Sequence, residues 1–149
     1  MRGPARKGLP FPAAAILAAS VALCPHTASA ESLAPLTRTP GDPARGEALL
    51  RDMGRASCLI CHQIARLDEK DQGEIGPPLD GVATRMSEGE LRARVVDARR
   101  SNPDTMMPPY HSLEGLNNVA EAYRGKTIYS AQEVENVVAY LMTLTGEDG

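Results

Sequence analysis

Tryptophan is absent from this 149-residue chain and phenylalanine occurs once, so with four tyrosines the aromatic share is 3%. Large core-filling side chains are therefore scarce for a chain of one-domain length. Long hydrophobic runs are missing too. The longest, Ala13 to Leu23, is broken at Ser20 and falls well short of the roughly 20 apolar residues that a transmembrane helix needs. Positive charge is not in excess: 16 Lys and Arg against 19 Asp and Glu leave a net −3, with no long basic block. That removes the clustered basic face expected of a nucleic-acid binder. Three cysteines are too few for a disulfide framework.

What is present begins with a leader. Arg2, Arg6 and Lys7 precede the apolar run, and Ala28-Ser29-Ala30 closes it with small residues, the layout of a secretory signal peptide over residues 1–30. Cys24 would suit a lipid anchor, but the bulky Leu23 before it favours cleavage after Ala30. The expected mature chain starts at Glu31 and is periplasmic, with a flexible Pro- and Thr-bearing arm over 31–41 and one domain over 42–149. It keeps 13 of the 16 basic residues and all 19 acidic ones, and only two cysteines.

Those two form Cys58-Leu59-Ile60-Cys61-His62. In an exported chain such a pair is a redox dithiol, part of a zinc site, or a c-type haem attachment, in which two thioethers hold the porphyrin and the next histidine binds iron. The dithiol reading wants a preceding strand, whereas the residues before Cys58 carry helical patterning. Structural zinc wants four N/S ligands, and the mature chain offers Cys58, Cys61, His62 and His111 alone, two of them adjacent. Haem c, one and covalently bound, fits best. A buried porphyrin would also supply the apolar bulk that the missing aromatics do not.

Helix signals frame the motif. Asp42-Pro43 predicts a cap and first turn for a helix through Gly46, Leu49 and Leu50 that ends near Gly54. Ser87 with Glu90 predicts a capping box opening Leu91 to Arg100, stopped by Asn102-Pro103, with Leu91, Val95 and Ala98 inward. Its arginines Arg92, Arg94, Arg99 and Arg100 read as a solvated face. Ser130 with Glu133 predicts a third helix, whose Val134, Val137, Val138, Leu141 and Leu144 repeat at helical spacing up to Gly146. Between the helices, 67–86 and 102–129 lack regular patterning, apart from a short helix expected near 116–122. Loops this long suit a chain that wraps a large prosthetic group.

An iron held by His62 needs a second axial ligand or an open site. Met53, Met86, Met106, Met107, Met142 and His111 are the candidates. Met53 and Met142 sit in helical patterning and Met86 at a helix start, where packing is the ordinary role of methionine. Met106-Met107 lies in the long loop ahead of Pro108-Pro109, whose restricted backbone stiffens it. Met107 is favoured, with Met106 and His111 as alternatives. A ligating histidine also needs an acceptor for its other ring N–H, and a proline carbonyl in the rigid Gly76-Pro77-Pro78-Leu79 turn can serve.

Over residues 42–145 these features together resemble a class I c-type cytochrome: Gly46, the Cys58 to His62 motif, Gly76-Pro77-x-Leu79, a methionine loop, and Tyr140-Leu141 in the last helix. More specifically, Asn102-Pro103-Asp104-Thr105-Met106-Met107-Pro108-Pro109-Tyr110, Ala122-Tyr123-Arg124-Gly125-Lys126 and the stretch Ala131 to Leu141 are similar to the SoxX family. These are the small cytochrome subunits of thiosulfate-oxidising SoxAX complexes. The resemblance implies an all-α class I cytochrome c fold, three to five helices wrapped around one covalent haem. It also implies His62 and Met107 as axial ligands, the Pro77 carbonyl holding His62, and Gly46 letting the first helix cross the last near Tyr140.

In that family a SoxA-type cytochrome carries the catalytic haem, and thiosulfate is joined oxidatively to a cysteine of a SoxYZ-type carrier protein, an L-cysteine S-thiosulfotransferase reaction. The SoxX-like chain receives the electrons and passes them to a soluble acceptor cytochrome. By that resemblance the chain is a redox subunit with no catalytic residue of its own. Two other functions stay open from the residues: a free-standing periplasmic shuttle of a respiratory chain, and a five-coordinate haem with peroxidase or gas-binding activity.

Overall fold

In the computed structural model, which describes residues 31–146 together with Gly3, Asp42 opens the first helix, α1 (Pro43–Arg51). Its carboxylate accepts the Ala44 and Arg45 N–H groups at 3.0 and 3.3 Å, and Pro43 stands in the first turn, where no donor is missed. The helix stops at Arg51, and a single 3-10 turn, Met53–Arg55, replaces the expected last turn. A short α2 (Val82–Arg85) follows in the first long loop. Both predicted capping boxes form, at Ser87/Glu90 for α3 (Glu88–Asp97) and at Ser130/Glu133 for α4 (Ala131–Leu141). No strand occurs among the described residues. The leader expected over 1–30, with Cys24, lies outside them, Gly3 apart.

α1 packs chiefly on α4, and α3 packs on α4 as well. The first contact is close because Gly46 has no side chain: a Cβ there would stand 2.1 Å from the Asn136 carbonyl oxygen and 2.8 Å from Tyr140 Cβ. Val134, Val137, Val138, Tyr140 and Leu141 of α4 meet Leu50, Leu91, Val95 and Val96 in the core. Leu144 is buried as predicted, although it follows the helix in a tighter turn closed by Leu144 N–H to the Leu141 carbonyl. Tyr110, Tyr129 and Tyr140 are buried, whereas Tyr123 is exposed.

Three expectations are corrected. The arm over 31–41 is held: Leu33 N–H donates to the Gly89 carbonyl at 3.0 Å, Leu36 N–H to Glu135 Oε1 at 2.8 Å, and Gly41 lies against the Glu135 carbonyl. The arginine face of α3 is not uniformly solvated either. Arg92 is 2% exposed, pairing Nε and Nη2 with Glu135 at 2.9 and 3.0 Å, Nη2 with Glu88 at 2.5 Å and Nη1 with the Leu33 carbonyl at 2.8 Å. Arg99 is half-buried and grips Asp97 at 2.6 Å, whereas Arg94 and Arg100 are exposed and fit the solvated reading, Arg100 pairing with Glu31 at 2.7 Å. In the second long loop the expected helix near 116–122 is reduced to one 3-10 turn, Glu121–Tyr123.

Candidate haem-binding site

The cysteines stand where α1 hands the chain to the core. Ala56 takes a left-handed backbone conformation, φ 62°, and turns the chain into a 3-10 turn, Cys58–Ile60. Ser57 is buried; its hydroxyl donates to the Leu50 carbonyl at the end of α1 and accepts Leu59 N–H at 3.2 Å. The Cys58 carbonyl then accepts both Cys61 N–H (3.1 Å) and His62 N–H (2.9 Å), closing the motif into one compact loop. Leu59 points inward and Ile60 outward.

A second segment is laid along it. Gly73 N–H donates to the Leu59 carbonyl, Gly76 N–H to the Cys61 carbonyl and Leu79 N–H to the Gln63 carbonyl, each at 2.8 Å. Gln72 pegs the intervening bend, accepting Ile64 N–H at 2.6 Å and donating to the Leu67 carbonyl at 2.7 Å. This pairing sets Gly76 and Pro77 beside His62. A Cβ on Gly76 would lie 2.3 Å from His62 Cε1, so the imidazole rests on bare backbone. His62 Nδ1 is 2.7 Å from the Pro77 carbonyl oxygen. A carbonyl only accepts, so Nδ1 carries the proton and Nε2 keeps its lone pair for a metal.

Of the distal candidates, Met106 is 79% exposed, whereas Met107 packs against the core cluster. Met107 N–H is held by Thr105 Oγ1 at 3.2 Å. Beyond the two prolines the chain docks on the end of α3, whose last carbonyls have no partner within the helix: Tyr110 N–H donates to the Val95 carbonyl at 3.3 Å and His111 N–H to that of Val96 at 3.1 Å. His111 Nδ1 meets the Tyr129 carbonyl at 2.8 Å. Met86 and Met142 pack on the core as expected, but Met53, read as a packing residue, is 67% exposed because α1 ends before it.

The donors fit a covalent haem better than the other readings of the motif. Burial pushes the Cys58 thiol up to about 11, whereas a working redox dithiol needs a lowered value. Among the described residues no group of three or more His, Cys, Asp or Glu could hold a metal ion by itself. The haem donors instead come together as local loops prescribe: two half-buried cysteines, and a histidine with one nitrogen fixed and the other free.

The sequence did not say which apolar side chains stay exposed. Ile60, Ile75 and Met106, each a neighbour in sequence of a site residue or its turn, are exposed, as are Leu113, Leu116 and Tyr123. The last three line a depression of about 420 Å³ with Asn118, Val119, Arg124 and Gly125. Leu113, Leu116, Val119 and Tyr123 recur every three or four residues, a spacing that pointed to the helix expected near 116–122 and not to an exposed loop.

Residues 43–145 match the family Cytochrome c. No curated protein matches the chain. Among solved structures it is similar to a chain of the crystal structure of SoxXA from P. pantotrophus. That likeness has 34% identity and a TM-score of 0.68, and covers 78% of this chain and 92% of the other.

Proposed function

The chain belongs to the cytochrome c family, and from that premise we propose that it is the SoxX-type electron-carrying subunit of a thiosulfate-oxidising complex in the periplasm. Its covalent haem c supplies a one-electron couple at iron. The chain's own residues do the rest. Cys58 and Cys61 hold the group by thioethers. His62 presents Nε2, and the Pro77 carbonyl, bonded to Nδ1 at 2.7 Å, keeps the ring oriented and basic. Met107 is the second ligand, since it is the methionine of its loop that faces the core.

The observation that carries the assignment to a thiosulfate system is the likeness to SoxXA, which extends over nearly the whole of that chain. In this reading a SoxA-type cytochrome is the partner and bears the catalytic haem. There thiosulfate is joined oxidatively to the cysteine of a SoxYZ-type carrier, and this chain passes the released electrons to a soluble acceptor. Ile60, Ile75 and Met106, exposed apolar neighbours in sequence of the site residues or their turn, suit a partner surface. The test is purification from the native source with haem counted per chain. Co-elution with a larger cytochrome, and loss of thiosulfate-dependent haem reduction on deleting this gene, are expected. A monomer whose deletion leaves that electron flow intact would transfer the chain to the respiratory-shuttle reading.

A further inference from the structure

Tyr110 stands three residues beyond Met107 and is fixed on every side. Its side chain is 4% exposed and stacks on Tyr129 with centroids 4.8 Å and planes 23° apart. Its N–H is on the end of α3, and its carbonyl accepts Tyr129 N–H at 2.8 Å. The hydroxyl reaches away from this frame and donates to the Ala56 carbonyl at 3.0 Å. Ala56 is one of two non-glycine residues with positive φ among those described. A side chain disfavours that conformation, and it persists where surrounding contacts over-determine it. Ser57 anchors the next residue to α1, and Cys58 follows. The turn that presents Cys58 is thus pinned by two hydroxyls, one of them sent from the methionine segment.

We propose that Tyr110 is a positioning residue of the haem site, its hydroxyl tying the segment that carries Met107 to the turn that carries Cys58. The proposal rests on the reading of Met107 as an axial ligand. A tethered thioether competes with dissolved ligands through its effective concentration at the iron, which falls when the tether slackens. With both segments joined, Met107 stays with the group that the cysteines hold.

The test is Tyr110→Phe in the haem-loaded protein, titrated with imidazole. Covalent haem content should not change, the imidazole Kd should fall by roughly tenfold, the equivalent of about one net hydrogen bond, and the reduction potential should drop. Tyr129→Phe is the matched control. It removes a hydroxyl that donates to the Leu49 carbonyl at 3.3 Å but leaves the stack and the Ala56 bond in place, so its imidazole affinity should stay within about twofold of the parent's, a shift far below one hydrogen bond. Both variants keep the ring, so both retain a filled core. Equal affinities in all three proteins, or equal shifts in the two variants, would overturn the proposal while leaving Met107 as ligand. Absence of the sulfur-to-iron charge-transfer band from the parent protein would overturn the Met107 reading itself and the proposal with it.

Discussion

At the scale of single residues, the two adjacent methionines separate by environment. Met106 faces solvent and Met107 faces the core. Met107→Ala is expected to abolish the sulfur-to-iron charge-transfer band and lower the reduction potential, since a Met/His pair raises it. Met106→Ala should leave both unchanged. Absorption spectra and redox titration of the two variants check this, and the reverse pattern would move the ligand by one position. The site's donors were legible in the sequence because they are local: the turn at Cys58–His62 is closed by bonds no longer than four residues, and the Gly76-Pro77 turn supplies the acceptor. Arg92 was not legible. Its partner Glu135 lies 43 residues away, and a run of arginines gives no local sign of which one turns inward.

At the scale of elements, the capping boxes of α3 and α4 could be read directly, because a Ser and a Glu three residues apart satisfy each other's backbone without outside help. Helix ends were harder. Leu144 keeps the helical period while the backbone has already tightened, and Met53 lies past an end that came early. The α1–α4 crossing depends on Gly46, so Gly46→Ala should force the helices apart and destabilise the protein by about 1–3 kcal/mol or more, measured by denaturant unfolding. The start of α4 is pH-sensitive. Arg55, 2.6 Å from Glu133 Oε1, with the Ser130 cap, holds the Glu133 carboxyl well below the usual range, at about 2. A carboxylate with a lowered folded value stabilises the fold above its ordinary value near 4.5, and that contribution fades as pH falls towards about 2. Glu133→Gln keeps a capping side chain but loses the charge. It should cost up to about 1 kcal/mol near neutral pH, since the pair is partly exposed. Unfolding curves of the two proteins should converge in strong acid, and a gap that stays constant with pH would contradict the assignment.

At the scale of the whole molecule, Arg92 and Glu135 act as a clasp that joins α3, α4 and the segment from Leu33 to Leu36. Arg92→Ala strands a buried carboxylate and should cost about 3–5 kcal/mol, whereas Arg92→Met with Glu135→Leu should cost far less. Thermal unfolding ranks the variants, and limited proteolysis should show residues 31–41 released in the first. The contact between α1 and α4 has a further consequence. These helices are the first and last among the described residues, yet they face each other, while the stretch from Leu113 to Lys126 is almost wholly exposed. A chain cut between Gly115 and Gly125 therefore keeps its two pieces locked by the helix crossing, by the tyrosine stack and by the arginine clasp, each of which spans the cut except the clasp's own α3–Leu33 bond. Two separately made pieces divided at that point should find each other and rebuild the domain, as an enzyme assembles from complementing fragments.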